Sequence, residues 1–485
     1  MWRFKKERFN MIGREREKKK LLERYERKKA EFVAVYGRRR VGKTFLIDET
    51  FEGKFTFKHA GLSPVEIQKK GALTAQLDHF YYSLLRHGVM VDRAPASWME
   101  AFFVLETWLE KIDDGKRQVV FIDELPWLDT PRSGFVTALE GFWNTWGCHR
   151  KNLMLIVCGS ASSWILDHLI NNHGGLYNRI TCEIRLMPFT LGECEAFFKE
   201  KQINLSRYDI IQSYMILGGI PFYLDYFERG LSLAQNIDLL FFSPGAVLEN
   251  EYDRLFSSIF ANPSMMKSIV ELLFSRNAGY TRKEICEKLH LSSGSIISSG
   301  LKALVGSDFV IRYVPFGMKK TEEHYKLVDP FCLFYLHFLR DERKPDPHFW
   351  LHNQNMAALN SWRGFAFEHV CFNHIDQIKQ ALGISGVRTT HSAWSKRSDD
   401  PHGIQIDLLI ERDDHVVNAC EIKFYSGEFT VDKAYDRILR NRQLLLAKYL
   451  SPKVSIYPTL ITTYGLTKNE YSGFFVSVLT MDDLF

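Results

Sequence analysis

Residues 31–49 contain the pattern that most restricts how this chain folds. The residues before Gly37 are apolar, with the β-branched and aromatic side chains typical of a buried parallel strand. From Gly37 to Thr44 the sequence fits G-x-x-x-x-G-K-[ST], and a helical pattern follows. Glycines let backbone N–H groups curl around phosphate oxygens, the lysine places a charge on the β- and γ-phosphates, and the hydroxyl binds Mg²⁺. The sequence therefore predicts a phosphate-binding loop between a strand and a helix.

The residues of this loop are candidates for nucleotide binding. Three consecutive arginines are unusual in such a loop, and their side chains either reach phosphates or are simply solvated. We assign Lys43 a catalytic role as well, and Thr44 a role as Mg²⁺ ligand. The predicted nucleotide-binding residues of the loop are Gly37, Arg38, Arg39, Arg40, Val41, Gly42, Lys43 and Thr44.

Two acidic residues end a second predicted strand. Residues 118–122 are largely apolar and lead directly into Asp123 and Glu124. Because ligands of open α/β sheets bind at the carboxyl ends of the strands, Asp123 is expected to hold Mg²⁺. Glu124 is then placed to orient or deprotonate the attacking water. The alternative interpretation is an acidic strand cap without chemistry.

A third buried strand is predicted from Leu153 to Cys158, and it ends in Gly159 and Ser160. A polar residue at this position can sense the γ-phosphate. Ser160 is therefore a further candidate for contact with the nucleotide.

Several segments in this order resemble the archaeal and bacterial P-loop ATPases of the AAA+/STAND group. They are a GR-E box at residues 13–15, the loop, the acidic pair, the strand ending in Gly159-Ser160, and a GG-I-P segment at residues 218–221. The resemblance covers about the first half of the chain. It implies ATP as the nucleotide, a parallel α/β sheet and a helical lid.

The same resemblance suggests a role for Arg179. In the family, the sensor strand is followed by a loop with an arginine, and residues 176–179 fit that description. Arg179 is therefore a candidate for stabilising the charge of the transferred phosphate, in cis or across a subunit boundary. A surface salt bridge is the competing interpretation.

Composition limits the classes of protein that need to be considered. The 485 residues suggest two to four domains, and 46% hydrophobic with 25% charged residues is ordinary for a soluble protein. The longest apolar stretches are about half of what a bilayer requires, and no secretory signal is evident. The eight cysteines include no C-x-x-C pair, which excludes a zinc knuckle or disulfide framework and favours the cytoplasm.

The positive charge of the chain is local. The net charge is +5, but residues 1–30 hold thirteen Lys or Arg against five Glu. A basic N-terminal helix could contact nucleic acid or another acidic surface. A solvated helix face is the alternative.

Residues 265–328 show a winged helix-turn-helix pattern. Thr281 with Glu284 predicts one helix start, Ser292 or Ser293 predicts another, and residues 309–314 and 324–328 read as a wing. Winged helices commonly bind DNA. The predicted recognition helix carries only Lys302 as a cation, although the wing adds others, so DNA contact and internal packing both remain open. The wing cations are Arg312, Lys319 and Lys320.

The C-terminal region brings acids together on a predicted hairpin. Glu421 and Lys423 lie two residues apart on one strand and share a face, and Asp407 on the neighbouring strand can meet them. Two carboxylates and a lysine suit metal-assisted phosphodiester hydrolysis, with Asp407 and Glu421 on Mg²⁺ and Lys423 at the water or the developing charge. Glu368, on a predicted helix over residues 362–372, could complete the metal shell.

This order of helix, acid and E-x-K resembles the PD-(D/E)XK nuclease fold over about residues 360–450. The residue before the first acid is Ile406, where the family pattern has proline. Domains of this fold that have lost activity are the alternative.

The sequence thus predicts an α/β protein of four parts. They are a P-loop ATPase domain with a basic arm (1–187), a helical lid (188–260), a winged helix-turn-helix (261–345) and a PD-(D/E)XK-like domain (346–485). This order resembles a widespread archaeal and bacterial ATPase family with a nuclease-related C-terminus. We hypothesise a cytoplasmic ATPase whose nucleotide state controls a module acting on nucleic acid, with DNA favoured. Alternatives are a nucleotide-dependent homo-oligomeric switch or scaffold, and a DNA-binding regulator.

Overall fold

The computed structural model divides the chain into two compact units. Unit 1 contains Met1–Pro188, Asp253–Lys267 and Ser298–Asp308, and unit 2 contains Phe189–Tyr252, Ser268–Ile297 and Phe309–Phe485. The predicted helix start at Ser292 or Ser293 and the wing residues Lys319 and Lys320 lie outside the described residues. The structure describes residues 11–63, 67, 71–160, 162–171, 174–260, 262–291, 294–318, 322–340, 346–396 and 404–485.

Unit 1 is built on a five-stranded parallel sheet. The helices of its first segment are α1 (Glu15–Tyr25), α2 (Lys43–Thr50), α3 (Ala72–Arg86), α4 (Trp98–Lys111), α5 (Leu125–Leu128), α6 (Phe135–Gly141) and α7 (Ser162–Ile165). The strands are β1 (Glu31–Tyr36), β2 (Phe55–Ala60), β3 (Gln118–Asp123), β4 (Leu153–Gly159) and β5 (Cys182–Arg185), in the order β2-β3-β4-β1-β5.

The three apolar runs of the sequence form the middle of this sheet. The predicted strands are confirmed as β1, β3 and β4, and every residue of the three is buried. Because β1 pairs in parallel with β4, and β4 with β3, their carboxyl ends lie at one edge. The same edge of the sheet therefore holds Gly37, Asp123 and Ser160, and this is the edge at which open α/β sheets bind ligands.

The GG-I-P segment breaks a helical region. Gly219 has φ +66°, and a Cβ atom at this residue would lie 2.3 Å from the carbonyl oxygen of Phe189, so the close approach requires glycine. Pro221 then occupies the first turn of the next helix, where its missing N–H costs nothing. The helices here are α8 (Leu191–Glu200), α9 (Arg207–Leu217), α10 (Pro221–Leu224), α11 (Leu233–Ile237) and α12 (Glu251–Ile259).

The described residues between 263 and 328 form three helices and a small antiparallel sheet. The predicted start at Thr281 is confirmed, since Thr281 and Glu284 form a reciprocal capping box. Both predicted wing strands are present and pair with each other. The elements are α13 (Pro263–Phe274), β6 (Tyr280–Thr281), α14 (Arg282–Lys288), α15 (Ser295–Gly306), β7 (Val310–Tyr313) and β8 (His324–Leu327), with sheet order β6-β8-β7.

The C-terminal part of unit 2 is a mixed five-stranded sheet with helices. The predicted hairpin is confirmed, because β10 and β11 pair antiparallel. Its helices are α16 (Pro330–Phe338), α17 (Phe349–His352), α18 (Ala357–Asn373), α19 (Ile375–Ala381) and α20 (Lys433–Ala447). Its strands are β9 (Thr389–Lys396), β10 (Ile404–Arg412), β11 (Val416–Lys423), β12 (Ser455–Thr462) and β13 (Ser477–Leu479), in the order β13-β12-β11-β10-β9.

Candidate functional site

The loop between β1 and α2 has the backbone that the motif requires. Gly37 has φ +148°, and a Cβ atom there would lie 2.2 Å from the carbonyl oxygen of Leu186. Only glycine tolerates so close a backbone contact. The chain therefore turns out of the sheet at this residue, and the remaining loop leads through Gly42 into the first turn of α2.

Lys43 and Thr44 take the positions expected of phosphate- and magnesium-binding residues. The buried Lys43 ammonium donates to the carbonyl oxygens of Gly37 and Arg38, at 3.0 and 2.9 Å. Thr44 Oγ1 donates to Asp123 Oδ2 at 2.7 Å. The hydroxyl and the carboxylate predicted to share Mg²⁺ are thus already in contact, directly beside the lysine.

The loop arginines are held by the protein. Arg38 is only 2% exposed, so its interpretation as a solvated side chain is wrong. Arg39 donates to the carbonyl oxygen of Ser258 at 3.4 Å, and its guanidinium lies 5.7 Å from the centre of the Trp127 ring. Arg40 adopts φ +72°. Burial of Arg38 and the contacts of Arg39 fix these two side chains to the body of unit 1.

Arg14, from the GR-E box, also contacts the loop. Its guanidinium donates to the carbonyl oxygens of Val41 and Met187, at 3.3 and 2.8 Å. Arg14 is buried despite its charge. One side chain therefore joins the phosphate-binding loop to the segment that follows β5.

Glu124 is hydrogen-bonded to Ser160, the residue predicted to sense the γ-phosphate. Its carboxylate accepts hydrogen bonds from Ser160 Oγ, at 2.9 Å for the nearer oxygen, and from the backbone N–H of Ser160 at 3.1 Å. Glu124 also adopts φ +44°, which is uncommon for a residue other than glycine. The carboxylate expected to orient water is therefore engaged by Ser160 in this conformation.

Arg179 lies on an exposed turn of unit 1. In the described part of the chain, its side chain forms no ion pair or hydrogen bond, and only its backbone N–H donates, to Leu176. The competing interpretation is a surface salt bridge within the chain. Among these residues, Arg179 has no acidic partner for such a bridge.

The C-terminal acids meet between α18, β10 and β11. Lys423 Nζ lies 2.8 Å from Glu421 Oε1, so these residues share a face as predicted. The carboxylate of Asp407 accepts from the backbone N–H of Ile422 at 3.0 Å. The pairing of β10 with β9 shifts register between Ile406 and Leu409, which is where Asp407 lies. Such irregularities re-aim a side chain, here toward β11.

Helix α20 supplies two further residues to this site. The Tyr435 hydroxyl donates to Glu421 Oε1, and Arg442 Nη1 donates to Glu421 Oε2 at 3.0 Å. Both oxygens of Glu421 are therefore engaged, by Tyr435 and Lys423 on one side and by Arg442 on the other. Glu421 is only 6% exposed, so these partners compensate for the burial of its charge.

Burial and mutual repulsion raise the pKa values of two of these acids. Burial, followed by the charge of Asp407, raises the pKa of Glu368 to about 7. Burial, followed by the charge of Glu421, raises the pKa of Asp407 to about 6. Burial lowers the pKa of Lys423, but the negative charge and hydrogen bonds of Glu421 and Tyr435 outweigh burial and raise the pKa overall. Even so, no three His, Cys, Asp or Glu side chains of the described residues are grouped so that they could hold a metal ion.

The first half of the chain has relatives with a known class of activity. Residues 11–227 match a protein family described as an ATPase domain predominantly from Archaea. The loop, the Thr44–Asp123 contact and the parallel sheet agree with this match. Residues 11–227 are therefore similar to the P-loop ATPase domains of that family, and we refer to them below as the ATPase domain. The similarity supports nucleotide binding and ATPase activity in general.

Other similarities extend further along the chain. An uncharacterized protein of Methanocaldococcus jannaschii, MJECL04, is 25% identical over 441 residues, which is 90% of this chain and 92% of that protein. The Walker-type ATPase PABY2304 of Pyrococcus abyssi is 18% identical, with a TM-score of 0.44 over 68% of this chain and 97% of that one. The ORC2 protein of Aeropyrum pernix is 14% identical, with a TM-score of 0.40 over 68% and 96%.

Sequence reasoning missed three residues near the C-terminal acids. Tyr435 and Arg442 bind Glu421 from α20, and Lys326 on β8 lies close enough to Glu368 to influence its charge. Burial lowers the pKa of Lys326 to about 8, while Glu368 opposes this shift. No short motif marks these residues, because each lies on an element separate from the acid that it contacts or influences.

Among the described residues, no helix is both long enough and apolar enough to cross a bilayer. All eight cysteines are free thiols, and seven of them are buried.

The raised pKa of Glu368 predicts a pH-dependent stability. The unfolded carboxyl loses its proton near pH 4.5, whereas the folded one keeps it until about pH 7. The folded state therefore loses stability as the pH rises through this window, and the full cost is present above it. We expect Glu368→Gln to be more stable than wild type at pH 8 by about 1–3 kcal/mol, and equal to it near pH 4.5. Urea unfolding at both pH values measures the difference.

The matched control for this substitution is Glu428→Gln, at an exposed glutamate of the same sheet region. It should leave stability unchanged at both pH values. An equal effect of Glu368→Gln at pH 4.5 and pH 8 would contradict the predicted protonation.

Proposed function

We propose that the ATPase domain binds and hydrolyses ATP with Mg²⁺, and that its nucleotide state controls a C-terminal nuclease-like module acting on nucleic acid. The proposal that the domain binds and hydrolyses ATP rests on the 2.7 Å hydrogen bond between Thr44 and Asp123, beside the buried Lys43 ammonium. A hydroxyl and a carboxylate are the hard oxygen ligands that Mg²⁺ prefers, so these residues fit the ion. Bound there, Mg²⁺ would neutralise charge on the phosphates.

The residues of the domain suggest a sequence of events. Lys43 exchanges its two carbonyl partners for phosphate oxygens when ATP enters the loop. Glu124 must leave Ser160 before it can orient a water molecule, so Ser160 couples the arrival of the γ-phosphate to release of the acid. Arg179, which is exposed on its turn, is free to stabilise phosphate charge in cis or in a neighbouring subunit. The release of inorganic phosphate from ATP by the purified chain, with and without Mg²⁺, tests this proposal; no release above background would contradict it.

We assign the remainder to a helical lid (188–260), a winged helix-turn-helix (261–345) and a PD-(D/E)XK-like domain (346–485). The lid and the winged helix would carry the change outward by a shift of population between two conformations. The PD-(D/E)XK-like assignment is supported by the convergence of Glu368, Asp407, Glu421 and Lys423. The winged helix-turn-helix assignment is supported by the capping box at Thr281 and the paired wing strands.

The fit of a metal to the C-terminal acids is incomplete in this conformation. Both oxygens of Glu421 are engaged by cations and a tyrosine, and the described residues offer no group of three metal ligands. This observation favours the second candidate function, a nucleotide-dependent switch or scaffold whose C-terminal domain recognises a partner without cleaving it. We therefore derive no cleavage step through a metal at this site.

A DNA-binding regulator is the third candidate, but two of its candidate cations, Lys302 and Arg312, form ion pairs within the described part of the chain. Lys302, on α15, forms an ion pair with Asp167. Arg312, on the wing strand β7, pairs with Glu323 at 3.2 Å. Because affinity for a duplex rests mainly on Lys and Arg contacts to phosphate, these pairs weaken the case for DNA readout by the described surface.

Substitution of Asp407 separates cleavage from recognition. If the module is a nuclease, Asp407→Ala in the full chain should lower Mg²⁺- or Mn²⁺-dependent nicking of plasmid DNA at least tenfold, whereas Asp413→Ala, at an exposed position after β10, should not. Agarose gel analysis over a divalent-metal titration measures the nicking. Absence of nicking by wild type, with DNA binding unchanged by Asp407→Ala, would contradict the nuclease role.

A further inference from the structure

Unit 2 also contains a cavity of about 300 Å³ that the proposed function does not use. Its walls come from β7, β8, the C-terminal part of α18 and β9. Lys326 contributes positive charge to the lining, whereas the guanidinium of Arg312 pairs with Glu323 and lies on the opposite face of the β7–β8 ladder. The described residues that line the cavity include no aspartate or glutamate. An anion is therefore the natural occupant.

Lys326 is the unusual residue of this cavity. It is 9% exposed, and its ammonium forms no ion pair or hydrogen bond with the described residues. Its ammonium lies 5.7 Å from the centre of the Phe372 ring, and Glu368 acts on it only from beyond ion-pair distance. Burying an ammonium without a close anionic partner is costly, and the ring compensates only in part. An apolar residue at this position would stabilise the fold better. The presence of a lysine therefore suggests that a bound anion compensates its charge.

The other walls combine aromatic rings with polar atoms that lack partners. The rings of Phe372 and His391 lie 6.2 Å apart, and Tyr313 also lines the cavity. Nε2 of His369 and Oγ of Ser392 are buried without a hydrogen-bond partner in the described part of the chain. Buried polar atoms in folded proteins are nearly always hydrogen-bonded, which suggests that a bound molecule supplies the missing partners.

We propose that this cavity binds a nucleoside monophosphate group, with the phosphate on Lys326 and the base against the aromatic wall. Lysine forms strong charge-assisted hydrogen bonds to phosphate, and aromatic side chains stack on any base. The volume lies at the lower end of the range for small-molecule sites. The group comes either from a free mononucleotide or from the phosphorylated end of a nucleic-acid strand. Every residue involved lies outside the ATPase domain, so the inference is independent of ATP hydrolysis.

The experiment uses the full chain carrying Lys43→Ala, so that the phosphate-binding loop does not contribute. Calorimetric titrations with AMP, with a 5′-phosphorylated oligothymidylate and with its 5′-hydroxyl counterpart distinguish the two sources. Saturable binding of AMP indicates a free nucleotide, and binding of the 5′-phosphorylated strand alone indicates a strand end. No binding of either, or equal binding of the 5′-hydroxyl strand, overturns the proposal.

Variants in the same background locate the binding. Lys326→Met is expected to lower the affinity at least tenfold while the melting temperature stays equal or rises, because an unpaired ammonium is removed from the interior. Lys283→Met is the matched control, since its side chain is 86% exposed, and it should bind like the background protein. If Lys326→Met fails to fold, Phe372→Leu must show the loss of affinity. Unchanged binding by the folded variants overturns the assignment of the site.

Discussion

Glu124→Gln is expected to bind ATP as tightly as wild type and to lower its turnover by about 100- to 10,000-fold, the usual contribution of a general base. The amide keeps the size of the carboxylate and can still contact Ser160, but it cannot accept a proton from water or orient it as a charged group. Because the ATP-binding contacts come from the loop and α2, affinity should be preserved. Calorimetry with Mg-ATP and a phosphate-release assay measure the two quantities separately.

Two further variants make this test specific. Glu49→Gln, at an exposed glutamate on α2, should hydrolyse ATP at the wild-type rate. Ser160→Ala removes one hydroxyl bound to Glu124 and should change turnover far less than Glu124→Gln, because the catalytic carboxylate remains. Wild-type turnover by Glu124→Gln would remove the assigned role of this acid.

The second large effect is expected from Lys43→Ala, which should weaken ATP binding by at least about 30-fold, the lower limit for truncating one partner of a buried charge pair. The Lys43 ammonium is buried and held inside the loop by two carbonyl oxygens, so its removal takes away a positive charge placed where the phosphates are proposed to bind. Calorimetric titration with Mg-ATP measures the loss. Lys54→Ala is the matched control, because Lys54 is exposed and lies over the Tyr25 ring.

Circular dichroism should show that the Lys43→Ala protein remains folded, since the loop backbone is shaped by Gly37 rather than by the lysine. An Mg-ATP affinity equal to that of wild type in the folded variant would contradict the function proposed for the loop.

The parts of the structure that follow local rules were predictable from sequence. A run such as residues 32–36 is apolar at every position and rich in β-branched and aromatic types, which is typical of a strand buried on both faces, and β1 is confirmed there. Thr281 and Glu284 have the spacing of a capping box, and both hydrogen bonds of the box are present. Glu421 and Lys423 were expected on one face because side chains on a strand alternate.

The parts that depend on contacts between distant elements were not predictable. Glu124 and Ser160 are 36 residues apart in sequence and meet only because β3 and β4 end at one edge of the sheet. Tyr435 and Arg442 reach Glu421 from a helix whose position relative to β11 no local pattern encodes. Their consequence is substantial, because they turn a predicted open metal ligand into a carboxylate with both oxygens engaged.

The contacts of Arg14 have a mechanical consequence. A single guanidinium grips both the phosphate-binding loop, at Val41, and the backbone of Met187. Met187 is the penultimate residue before the chain passes from unit 1 into unit 2. One buried side chain therefore ties the phosphate-binding loop to the last residues of the first segment of unit 1, so neither can move far without breaking a hydrogen bond of Arg14.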